Sequence, residues 1–184
     1  MYATRLLQTG IILLGFSIDF SVAQETSSSY LLPISLFVVF VFLLTLILGK
    51  LLKLKQSYIY LIASGSSICG GTAMAAVAPV IKSKPQELSI AIAIIFLLNA
   101  IGILFFPLIA EQINLSQSEF GLWAATAIHD TSAVIGAAMI YGSESLEVAA
   151  TLKLGRTLWI IPLIIILSLI TVSYTHLTLP TMMS

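Results

Sequence analysis

Apolar residues in this chain run in long unbroken stretches rather than in the alternation of a half-buried strand. Residues 6–22, 31–49, 88–110, 120–143 and 157–172 each read as a helical membrane segment, since about 20 apolar residues span a ~30 Å hydrocarbon core. Continuous runs of this kind exclude the short alternating segments of an outer-membrane barrel. A further stretch, residues 56–81, carries no charge, yet its centre reads Gly65-Ser66-Ser67-Ile68-Cys69-Gly70-Gly71-Thr72. That is backbone which unwinds. Irregular backbone at membrane depth is tolerated only where protein buries it or water lines it, so this stretch is the first place to look for a binding site. The predicted fold class is all-α, a polytopic helical membrane protein with a re-entrant or broken helix at the glycine-rich motif.

The placement of basic residues bears on how residues 56–81 run. Arg5 precedes the first segment, Lys50, Lys53 and Lys55 follow the second, Lys82 and Lys84 follow the glycine-rich stretch, and Lys153 and Arg156 precede the last. The connections 23–30 and 111–119 contain none. If residues 56–81 cross the membrane, Lys82, Lys84, Lys153 and Arg156 fall opposite the other four. If they enter and leave by one face, all 8 basic residues are cytoplasmic, as short cytoplasmic connections favour. Two arms of about 11 residues reach roughly 16 Å, half the hydrocarbon core. A tightly packed Gly/Ala-rich span and a crossing helix broken at its centre are the alternatives. Residues 6–22 contain Gln8 and Asp19 and read alternatively as a secretory signal with a poor cleavage site at Ser21-Val22-Ala23; the acid argues against it.

Composition agrees: 59% of the 184 residues are hydrophobic and 9% charged, against roughly 25% charged in a soluble domain. The chain is expected in a membrane, with the lipid bilayer as solvent and its basic loops cytoplasmic. Zero net charge without a basic run gives no sign of a nucleic-acid partner. Cys69 is the 1 cysteine, which excludes an internal disulfide and a Cys-rich metal site. No cofactor, metal or enzymatic activity is expected.

The candidate chemistry lies in two places. In a hairpin, the second arm of residues 56–81 starts near Gly70, Gly71 and Thr72. Its unpaired amides and positive dipole end would then favour an anion, with hydroxyls from Ser66, Ser67 and Thr72 and close approach at the glycines. These residues and Cys69 form the candidate substrate site. The second place is His129-Asp130-Thr131-Ser132, inside an apolar segment, where ionisable groups usually face a polar cavity or a partner. A histidine beside an acid suits a coupling proton or cation. A structural role between helices is the alternative, and Asn99 is a possible partner. A zinc hydrolase lacks ligands. A serine protease built on Ser66 or Ser67 with His129 lacks a glycine-flanked elbow.

These motifs resemble a known family. Residues 62–81, then Phe120-Gly121-Leu122-Trp123-Ala124-Ala125 followed by residues 127–138, resemble the two signatures of the YeiH family, bacterial membrane proteins labelled as sulfate exporters. Residues 152–154, 158–163 and the opening 6–15 fit as well, and the resemblance covers about 5–170. It implies a place in the bacterial inner (plasma) membrane, a fold in which inverted repeats set discontinuous helices at the substrate site, and export of sulfate or a related small anion. Relatives extend further at both ends, so this chain is expected to be a transporter fragment, inactive alone, with homo-oligomers possible. Residues 173–184, including His176, resemble a translated adapter tail and carry no functional weight. The reading outside transport is a channel-like or structural membrane subunit.

Overall fold

The computed structural model describes the backbone of residues 20–177 and the side chains of residues 32–170. The described residues form eight α-helices: α1 (Phe20–Leu51), α2 (Gln56–Ser64), α3 (Gly71–Val77), α4 (Pro85–Gln112), α5 (Gln117–Ala127), α6 (Thr131–Tyr141), α7 (Ser143–Thr157) and α8 (Ile160–Leu177). No strand occurs among the described residues, as the continuous apolar runs predict. Among the described residues, three helical runs are long and apolar enough to cross a membrane: Leu32–Leu51, Pro85–Gln112 and Ser143–Ile170. The segment 6–22 lies outside the described residues except for its last turn, which opens α1. The expected connection 23–30 is helical, because α1 continues through it. Helix α8 likewise runs through residues 173–177, and the rest of the tail lies outside the described residues.

Residues 56–81 double back. Lys55, before α2, pairs with Glu87, in the first turn of α4, at 3.8 Å. The two ends of the stretch therefore meet. Between them, Leu61 of α2 and Met74 of α3 pack in one cluster with Ala78 and with Ala91 and Ile95 of α4. Glu87 also accepts from the Lys84 amide at 3.3 Å, capping α4 beside Pro85. Each of the chain turns after α1, α3 and α4 closes through one left-handed residue, Lys53, Lys82 and Asn114. In each, the next amide bonds back past the helix end: Leu54 to Gly49, Ser83 to Ala78 and Leu115 to Ala110.

Residues 120–143 are not the single span that their hydropathy predicts. The chain leaves α5 in extended conformation at Ile128 (ψ 132°) and restarts as α6 after Asp130 (ψ 139°). It then returns to its origin: the Tyr141 hydroxyl donates to the Leu115 carbonyl at 2.5 Å, and the Glu144 amide donates to Gln117 Oε1 at 3.0 Å. The rings of Phe120 and Tyr141 stack at 4.2 Å. Helix α4, about 42 Å long at 1.5 Å per residue, separates the mouths of the two hairpins. They enter from opposite ends of the molecule.

A second correction concerns residues 143–157, which lie between two of the expected segments. They form α7, packed along both arms of the second hairpin; Gly121 sits so close to it that a Cβ there would meet the Ser145 carbonyl at 2.7 Å. Lys153 and Arg156, counted as cytoplasmic loop charges, are 0% and 1% exposed. The charge count therefore used two residues that are not in a loop. Lys50, Lys53, Lys55, Lys82 and Lys84 do cluster at the Lys55–Glu87 end, because the first hairpin brings their loops together.

Candidate functional site

The breaks of the two hairpins touch. At the first, the helix widens over Gly65–Cys69, where the Gly70 amide bonds five residues back to the Gly65 carbonyl at 2.8 Å. The chain then turns through Gly70 at φ 68°, ψ −128°, a conformation that glycine alone adopts readily. A Cβ on Gly70 would lie 3.3 Å from the Asp130 backbone and 3.4 Å from His129. The missing side chain lets the two backbones meet.

Helix ends leave carbonyls unpaired at C-termini and amides unpaired at N-termini. Here α7 supplies the cations for the carbonyl ends. Arg156 Nη2 donates to the Ser66 and Ser67 carbonyls at 2.9 Å each, and Nε donates to Ser67 at 3.2 Å. Its Nη1 reaches the other hairpin, donating to the Thr126 carbonyl at 3.2 Å and to that of Ala125. The guanidinium lies 5.0 Å from the Phe37 ring centroid. Lys153 Nζ donates to the Ile128 carbonyl at 3.0 Å. One positive side chain thus spans the C-terminal ends of both incoming arms, where the helix dipole is negative.

The amide ends are treated differently. Asp130 caps α6: its Oδ2 accepts from the amides of Ser132 at 3.0 Å and Ala133 at 3.3 Å, and from the Ser132 hydroxyl. Asn99 Oδ1, from α4, accepts from the His129 amide at 2.9 Å and the Asp130 amide at 3.4 Å. Helix α3 has Gly70 at its cap and no side-chain bond there. Both second arms open on an apolar-walled groove of about 810 Å³, lined by Gly71, Thr72 and Ala75, by Ile92, Phe96, Asn99, Ala100 and Ile103 of α4, and by Asp130, Ser132 and Ala133.

The profile of a family described as conserved hypothetical protein 698 matches residues 1–178. A UPF0324 membrane protein of Vibrio parahaemolyticus is 45% identical over 169 residues, 92% of this chain and 54% of the relative. One of Shewanella oneidensis is 45% identical over 166 residues (90% and 52%), and one of Bacteroides thetaiotaomicron 43% over 159 (86% and 48%). This chain belongs to the UPF0324 membrane protein family. It is a membrane protein of the YeiH type, and it spans about half the length of the curated relatives it matches. No solved structure matches it.

Within this UPF0324 chain, the residues singled out from sequence divide into two sets. Gly71, Thr72, Asn99, Asp130 and Ser132 line the groove together. Gly70 forms the crossing point, and Thr131 opens α6 without lining the groove. Ser66, Ser67 and Cys69 do not line it either. The Ser66 hydroxyl donates to the Ile62 carbonyl at 2.8 Å and that of Ser67 to Ala63 at 2.7 Å, so both bond within their own helix. Neither bonds to His129. Cys69 is 2% exposed in the main apolar core. His129 Nδ1 is buried without a partner among the described residues.

Sequence reasoning missed Lys153 and Arg156, and it missed the second break. One signal was available. Ser66-Ser67-Ile68-Cys69-Gly70-Gly71-Thr72-Ala73 aligns with Thr126-Ala127-Ile128-His129-Asp130-Thr131-Ser132-Ala133, sharing a hydroxyl residue, an isoleucine and a hydroxyl residue followed by alanine. Phe42-Leu43-Leu44-Thr45 on α1 echoes Phe96-Leu97-Leu98-Asn99 on α4. Thr45 Oγ1 lies 3.4 Å from Ser66 Oγ, as Asn99 contacts the second break.

Proposed function

We propose that this chain forms the hairpin core of a secondary transporter for a small, sulfate-like anion in the bacterial inner membrane. The observation that carries this reading is the contact between two broken hairpins that enter from opposite ends and share one groove. Transporters place discontinuous helices at mid-membrane to hold substrate and coupling ions, and irregular backbone at that depth needs a cavity or a protein wall. The interior charge supports an anion. Lys153 and Arg156 lie at the breaks without an ion pair among the described residues, and Asp130 is the carboxylate that lines the groove. In this reading residues 56–81 form a re-entrant hairpin opening on the cytoplasmic, lysine-rich end, the second hairpin opens on the other face, and His129 and Asp130 serve coupling. The complete protein, about twice this length, is the transporting unit.

The test is counterflow in liposomes containing the complete protein. Saturable uptake of labelled sulfate against preloaded unlabelled sulfate is expected. Flux that follows voltage alone and shows no counterflow would point to a channel and overturn the reading.

A further inference from the structure

The groove holds two unsatisfied groups of opposite character. The first is Asn99, 4% exposed. Two backbone amides fix its Oδ1, so the orientation of the side chain is settled, and Nδ2 is left without a partner among the described residues. It is a buried donor in want of an acceptor, which costs free energy until something supplies one. The second is Asp130. Its Oδ2 is spent on the α6 cap, while Oδ1 has no partner among the described residues. The charged groups around it bond elsewhere: Lys153, near enough to Asp130 to attract it, and Arg156, both on α7, donate to carbonyls of the arms and do not line the groove, nor do His129 and Cys69.

An oxyanion that accepts from Asn99 therefore shares an apolar-walled groove with a carboxylate. In a medium of low dielectric that repulsion is large. A single positive charge on Asp130 removes it. We propose that Asp130 binds a monovalent cation, a proton or an alkali-metal ion, which enters the groove together with the anion, so that both are carried in the same direction. This inference rests on the anion reading above. By linkage each ligand raises the affinity of the other by the same factor. If the cation is a proton, one taken up per anion shifts the apparent sulfate Kd about tenfold per pH unit.

Sulfate titrations of the complete purified protein, at stepped pH without sodium and at stepped sodium at fixed high pH, separate the two cations. The expected result is sulfate binding that tightens about tenfold per unit of falling pH, or in proportion to sodium. Asp130→Asn keeps a good helix cap and is expected to bind sulfate with an affinity that no longer follows either. Asn99→Asp keeps the acceptor for the two amides but replaces the free donor, and is expected to lose sulfate affinity at least tenfold. Wild-type binding indifferent to pH and sodium, or an Asp130→Asn protein that keeps the dependence, overturns the coupling while leaving the anion site standing. If the wild type fails to bind sulfate under every condition, the anion reading falls, and the coupling with it.

Discussion

The two breaks solve one problem in two ways. At the first, the chain turns through a glycine, and its second arm starts with no side chain on its amides. At the second, a carboxylate caps the new helix and a neighbouring amide holds the turn. The first break has no charged side chain of its own and turns on backbone geometry. The second is charged and fixed by side chains. Close backbone approach and ionisable chemistry are thus assigned to different hairpins, and only their contact puts both at one groove.

The strongest way to break the comparison is to remove what both tips share. Arg156→Ala orphans carbonyls on both, and each buried unpaired group costs about 1–3 kcal/mol. The detergent-solubilised complete protein is expected to lose most of its folded fraction in a thermal stability assay. Arg156→Lys should rescue little, since an ammonium lacks the planar fork. Gly70→Ala comes next. It forces a side chain into a left-handed turn against Asp130, at about 1–3 kcal/mol. Gly136→Ala, with nothing within 4 Å of its Cβ, is expected to leave the melting temperature unchanged or slightly raised.

Smaller effects sharpen the asymmetry. Asn99→Ala frees two amides at the second tip and is expected to cost about 1–3 kcal/mol. Thr45→Val, at the matching place on the first, removes only a long 3.4 Å contact and a bond to its own helix, and is expected to cost under about 1 kcal/mol. Equal losses in the same melting assay would remove the distinction between the tips. The smallest effect lies at the mouth of the second hairpin. There the Ser116 hydroxyl and amide hold the Glu119 carboxyl below the usual carboxylate range. Because the folded value is depressed, the cap's contribution is complete at neutral pH. It is lost as pH falls from about 4.3 through the lower folded value. Hydrogen-exchange protection of residues 117–120, corrected for intrinsic rates, is expected to fall in acid in the wild type and to be pH-independent in Glu119→Gln.

The class and the first hairpin were legible because hydropathy and glycine act locally: uncharged residues 56–81 with Gly70-Gly71 at their centre cannot make one straight helix comfortably. The second hairpin was not, because residues 120–143 contain no proline and no glycine at the break. There the helix is interrupted by Asp130 capping a new one and by Asn99 drawing its amides from another helix, a tertiary effect. Arg156 was misread for a related reason. Charge near an apolar segment normally marks a loop, and its partners are carbonyls supplied by residues about 30 and 90 positions away in sequence.

That guanidinium has a mechanical consequence. Its two ends are bonded to different hairpins, so sliding one past the other would strip a buried charge of half its acceptors. Any movement that preserves those bonds carries both hairpins as one body. The hairpin side of the groove then travels as a unit, and in the transport proposed above what alters is which side of the membrane it faces.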